Sequence, residues 1–143
     1  NVALQGFERF AAMLATAWND GKPNVSTAFD NLGKAYLAFA HAEPAYYSAM
    51  FEAGISLDNN PELKAAGERA FAVLRNATEV LVATMPPKNR PPVMMMALHI
   101  WALSHGIASL FGRGDAARRT LPMAPEELLE AGVLLYLRGL GLR

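Results

Sequence analysis

Three histidines, five serines and no cysteine set the limits of the chemistry this chain can do. His41, His99 and His105 could act as general bases or metal ligands. No acid stands at helical spacing from any of them to complete a metal site, so no metal is expected. Without cysteine there is no thiolate ligand, no disulfide and no cysteine nucleophile. Ser26, Ser48, Ser56, Ser104 and Ser109 lack an arranged base and acid. Ser104 and Ser109 lie near His105 on one helical stretch, where no oxyanion hole is foreseeable. Met94, Met95 and Met96 point around three sides of a helix, which suits adaptable packing better than a copper box. "GRGDAARR" reads as a solvated basic loop. The chain carries no glycine-rich phosphate loop after a strand and no clear carboxylate pair. The expectation is a protein that is not an enzyme and holds no cofactor.

One stretch stands out. "ALHIWALSHGIASLFG", residues 97–112, contains no acid, lysine or arginine, yet carries Trp101, His105 and Gly106 in its middle. From Pro91 to Gly112 the run is long enough to span a bilayer. His99, Ser104 and His105 are costly in lipid, and two prolines open the run, so burial inside protein is the expectation and no membrane partner is implied. A helix that is apolar all round in such a protein is covered all round. In helical projection Met94, Leu98, Trp101 and His105 share one side, and Met96, Ile100, Leu103, Ile107 and Leu110 the other. One side serves the chain's own core; the other requires a second partner.

The elements that position this stretch follow from proline, glycine and capping signals. Strand alternation is absent and helical spacing recurs. A first helix is expected over Leu4–Asn19, burying Phe7, Phe10, Leu14 and Trp18, with "GKPN" as a turn. Ser26 or Thr27 is the expected cap of the second helix, with Asp30 in its first turn and Phe29, Leu32, Tyr36 and Phe39 on its inner face. Pro44 opens a short helix that ends at Gly54, and "SLDNN" is a loop. Asn60, Pro61 and Glu62 form a cap, first position and first-turn acid for a long helix to about Thr84, with Leu63, Phe71, Leu74, Thr78 and Leu81 inward. "MPPKNRPP" stops it. The charge-free helix spans about Pro92–Phe111, "GRGDAARRTLPM" connects, and Pro125, Glu126 and Glu127 open the last helix. The fold class expected is all-α, a bundle of about six helices in one domain over residues 1–143.

The last helix is also apolar on two sides. Leu128, Gly132, Leu135, Tyr136 and Gly139 form one stripe, with Val133, Leu137 and Leu140 opposite. A mid-helix glycine costs about 1 kcal/mol relative to alanine and often marks close backbone approach. Gly106, Gly132 and Gly139 read this way. Two C-terminal helices of this kind predict a homodimer in which each subunit contributes two helices to a four-helix bundle. The interface set is Ile100, Leu103, His105, Gly106, Ile107, Leu110, Leu128, Gly132, Leu135, Tyr136 and Gly139.

Composition is consistent with this. The chain has 143 residues, 52% of them hydrophobic and 18% charged, with 13 basic and 13 acidic side chains. That is apolar for one small domain and fits burial against a second copy. The balanced charge offers no basic footprint for nucleic acid. The chain begins at Asn1, shows no secretory leader pattern and enters a helix almost at once, which suggests part of a longer, cytoplasmic protein.

Two segments carry a resemblance. "WALSHG" holds Trp101, His105 and Gly106; "YLAFAHAEPAYYSAMF" holds Tyr36, Phe39, Ala40, Pro44, Tyr47, Met50 and Phe51. Together with "GFERFAAMLATAW" they resemble the C-terminal effector-binding and dimerisation domain of TetR-family transcriptional regulators, in the subgroup with a Trp-His-Gly signature. The resemblance covers nearly the whole chain. It implies a bacterial regulator, a repressor, whose N-terminal helix-turn-helix lies outside this sequence, so that DNA is contacted only through that missing domain. It implies a pocket for a small hydrophobic effector, with Phe39, Tyr47, Met50, Phe51, Phe71, Leu74, Met94, Leu98 and Trp101 as candidate lining. Effector binding would then lower operator affinity by population shift. The alternative is a structural dimerisation module with no ligand.

Overall fold

The computed structural model describes residues 2–51, 59–112 and 121–141. Among the described residues there are six α-helices and no strand: α1 Val2–Trp18, α2 Val25–Ala42, α3 Pro44–Phe51, α4 Pro61–Ala83, α5 Val93–Phe111 and α6 Pro125–Gly139. Single 3-10 turns lie at Asn19–Gly21 and Pro87–Asn89. The expected end of the short helix at Gly54 and residues 113–119 of the "GRGDAARR" segment fall outside the described residues.

Local chemistry explains the boundaries. α1 ends where Asn19, Asp20 and Gly21 enter the left-handed region at φ 49°, 55° and 76°. Gly21 does so without a Cβ penalty. The cap of α2 is Asn24, whose Oδ1 accepts from the Thr27 amide at 2.9 Å. The expectation of Ser26 or Thr27 is corrected: the helix starts at Val25, so both hydroxyl residues are already inside its first turn and Asp30 is past it. Asn60 caps α4 as expected, accepting from the Leu63 amide at 3.1 Å, with Pro61 next. The proline-rich stop after α4 is closed by Arg90, which donates from Nε to the Met85 carbonyl at 2.9 Å and from Nη2 to the Ala83 carbonyl at 3.0 Å. The Ala83 carbonyl is one that a helix end leaves without an intrahelical donor, and Met85 lies just beyond that end. At α6 the Glu127 carboxylate accepts from the Ala124 amide at 3.1 Å.

α1 packs against α2, α3 and α4, and α5 packs against α2, α4 and α6. Phe10, Leu14, Phe39, Leu63 and Met96 are almost fully buried. Each contributes on the order of 1.5–3 kcal/mol through apolar burial. Phe10 sits 4.9 Å from Phe39 and 5.1 Å from Tyr36, ring centre to ring centre, joining α1 to α2.

The rotation of α5 about its axis differs from the sequence projection. Met96, Ala97, Ile100, Ser104 and Ile107 face the chain's own core. Met94 and Leu98, expected on the pocket side, are 50% and 51% exposed. By length and composition alone Val93–Phe111 could cross a membrane, and a third of it is buried in the bundle.

Candidate functional site

Trp101 stands at the meeting point of four elements. Its ring packs edge-on against Phe10 of α1, Tyr36 of α2, Phe51 of α3 and Phe71 of α4, at centroid distances of 5.2–6.2 Å. Edge-to-face pairs of this kind add about 0.5–1.5 kcal/mol each beyond area burial. One turn later His105 lies within 5.6 Å of the Tyr47 and Phe51 rings. Its Nδ1 is 2.5 Å from the Tyr47 hydroxyl, which in turn is 2.9 Å from the Tyr36 hydroxyl. The result is a hydrogen-bonded line from α2 through α3 to α5. Burial pushes the Tyr36 phenol well above its ordinary value of 10.0, so it stays protonated.

The residues expected to line a pocket thus divide. Phe39, Tyr47 and Met50 are buried within the packed core, and Phe51 and Phe71 pack on its aromatic cluster. The Met50 side chain fills the space over Gly6, where an added Cβ would come within 2.7 Å of its sulfur. Met94 and Leu98 face outward because the inner face of α5 is taken by Met96, Ile100 and Ile107. Leu74 and Trp101 of that set border a void.

That void is a cavity of about 810 Å³ between α2, α4, α5 and α6, with Leu14 of α1 also in its wall. Tyr36 and Trp101 separate it from the aromatic cluster, since both belong to each. Apolar walls come from Leu14, Phe29, Leu74, Leu81, Ile100, Leu129, Val133 and Leu137. Polar groups gather on α2 and at the start of α6: Asn24, Ser26, Thr27, Asp30 and Lys34 on one side, Glu126, Glu127 and Glu130 on the other. Asp30 and Lys34 are paired at 3.1 Å. Inside, Ser104 donates to the Ile100 carbonyl at 2.8 Å. The volume and apolar character match those of small-molecule pockets, which run to about 300–1,000 Å³. Helical spacing did not reveal this cavity, a gap between helices distant in sequence, although Val133 and Leu137 stand opposite the expected interface stripe of α6.

The other side of α5 exposes Met95, Leu98, Ala102, Gly106 and Leu110, spaced three or four residues apart. On α6, Leu134 and Leu135 are exposed, Leu135 at 68%. Leu98 and Leu135 are chain neighbours of His99 and Tyr136, whose Nδ1 and hydroxyl lie 2.8 Å apart across the two helices. A Cβ on Gly106 or Gly139 would meet nothing within 4 Å, whereas one on Gly132 would come within 3.0 Å of the Leu103 side chain. Of the expected interface set, Ile100 and Ile107 are therefore core residues, Leu103 and Gly132 pack on each other within the chain, and His105 bonds inward to Tyr47. Leu128 is partly buried against the core; Gly106, Leu110, Leu135 and Gly139 stay open. Among the described residues no group of three His, Asp or Glu side chains is placed to hold a metal ion.

Comparison with known proteins agrees with this architecture. A solved structure from Rhodococcus sp. RHA1, described as a protein with unknown function, shares the fold with a TM-score of 0.79 and 23% identity. The match covers 96% of this chain and 70% of that one. No curated protein matches. The family model for the tetracyclin repressor-like C-terminal domain matches residues 29–136, from α2 into α6. The chain belongs to the family of tetracyclin repressor-like C-terminal domains.

Proposed function

We propose that the chain is the effector-binding and dimerisation domain of a cytoplasmic bacterial transcriptional repressor. The cavity between α2, α4, α5 and α6 takes a small hydrophobic effector, with Leu74 and Trp101 among its walls. A second copy covers the exposed faces of α5 and α6, with Gly106, Leu110, Leu135 and Gly139 in the contact. DNA is bound by a helix-turn-helix outside this chain, and no catalysis takes place in it. One observation carries the reading: α5 lines the cavity with Ile100, Trp101 and Ser104 and exposes Leu98, Ala102 and Gly106 on its far side. An occupant that shifts α5 changes the contact with the second copy, which is the coupling a sensor needs.

The test has two parts. Thermal melts with 4-phenylbutan-1-ol should show stabilisation; a ligand at a hundred times its Kd adds about 2.7 kcal/mol. Val133→Phe, which fills the cavity from α6, should abolish that response and keep the fold. Sedimentation equilibrium should give a dimer at micromolar protein. A dimer that no apolar compound stabilises would instead support a structural dimerisation module. A folded monomer of 15.5 kDa would overturn the assembly.

A further inference from the structure

The charge around the cavity mouth is lopsided in a chain that is neutral overall. Asp30 on α2 and Glu126, Glu127 and Glu130 on α6 border the void, against the single ammonium of Lys34. The Lys34 ammonium is paired with Asp30 at 3.1 Å and also feels the Glu130 carboxylate, so four carboxylates share one cation. Glu127 is engaged with the Ala124 amide. Glu126 and Glu130 are exposed, and neither makes an ion pair shorter than 4.0 Å among the described residues. Behind these carboxylates the walls are aliphatic and aromatic, with Phe29 and Trp101 among them. An occupant that enters apolar end first leaves its other end among carboxylates.

We infer that the cavity selects an amphiphilic cation: an apolar or aromatic body seated against Trp101, Ile100 and Val133, with a positively charged head beside Glu126 and Glu130 of α6. The inference rests on the proposal that the cavity is a ligand site and adds the charge of the ligand. A carboxylate head would meet like charge at the same place, and an alcohol would be indifferent to it. The aromatic walls add attraction for any cationic group that reaches their faces.

Three probes of one shape separate the outcomes: 4-phenylbutyl-trimethylammonium, 4-phenylbutan-1-ol and 4-phenylbutyrate, titrated against the 143-residue chain by calorimetry and tryptophan fluorescence. The cation should bind roughly two- to fivefold tighter than the alcohol, the range exposed ion pairs supply, and the carboxylate weakest. The advantage should shrink as salt rises. In Glu126→Gln/Glu130→Gln the cation should fall to the level of the alcohol while alcohol binding is unchanged. Glu68→Gln/Glu79→Gln, which removes two exposed acids from α4, is the control for net charge and should keep the preference. If the alcohol binds but the cation gains nothing, or its advantage survives the glutamine pair, the charge assignment is overturned and the pocket stands. If none of the three binds, the pocket reading falls with it.

Discussion

The Tyr47 hydroxyl lies 2.5 Å from Nδ1 of His105, bonding the short helix α3 to the middle of α5 across 58 residues of chain. The contact draws the imidazole inward, away from the surface where a second copy would sit. Tyr47→Phe keeps the ring but leaves His105 Nδ1 and the Tyr36 hydroxyl without this partner. It should cost about 1–3 kcal/mol, measured by urea denaturation. A loss below a few tenths of a kcal/mol would mean that the line of hydroxyls contributes nothing to holding α3.

Burial raises the Tyr36 phenol above its ordinary value of 10.0, so the folded state keeps a proton that the unfolded state loses first. Stability is therefore fully present below pH 10 and declines as pH climbs above it, by at most about 1.4 kcal/mol per pH unit from this group. Tyr136 and Lys34 are raised too and act with the same sign. Tyr36→Phe should make the decline between pH 10 and about 11.5 shallower. Denaturation midpoints across that range that fall equally in both proteins would contradict it.

Gly132 and Gly106 should respond to bulk in opposite ways. Gly132→Leu drives a side chain into Leu103 within the same chain and should cost about 1–3 kcal/mol whatever the assembly state. Leu103→Ala in the same protein should recover part of it. Gly106→Leu meets open space in the protomer and should leave helix content intact while shifting sedimentation toward the monomer. Unchanged dimer affinity in Gly106→Leu would move the contact elsewhere.

Asn24→Ala and Asn60→Ala each remove a side-chain acceptor from a helix start. Each should cost about 1 kcal/mol by urea titration. The caps serve separate helix ends, so the double variant should lose close to the sum.

With 13 basic and 13 acidic side chains, the chain should give no saturable, sequence-selective mobility shift with duplex DNA at low or moderate salt. A discrete shifted band competed only by one sequence would place a DNA reader within these residues.

The helix boundaries were legible because Pro44, Asn60–Pro61, the proline pairs and Pro125 act locally, on backbone donors a few residues away. The facing of α2 was legible too, since Phe29, Leu32, Tyr36 and Phe39 stand against polar neighbours that fix the helix rotation. α5 has no such counterweight: a helix without a polar side gives the projection no reference, and Met94 and Leu98 changed places with Ile100 and Ile107. Trp101 and His105 stand out by type in an apolar run, but their neighbours come from four distant segments that the run itself does not name. The cavity depends on distances between helix axes, which no single segment encodes. Gly132 was read as a point of close approach; the approaching group is Leu103 of its own chain.

Because Ile100, Trp101 and Ser104 line the cavity while Leu98, Ala102 and Gly106 face away on the same turns, α5 is one wall shared by two rooms. Such a wall restricts how the sequence can drift. A substitution that makes room for a bulkier occupant displaces the backbone and reshapes the outer stripe. A change selected for a different outer contact alters what fits inside. Divergence along this helix should therefore proceed by paired replacements on opposite faces, with each inner change matched by an outer one within a turn.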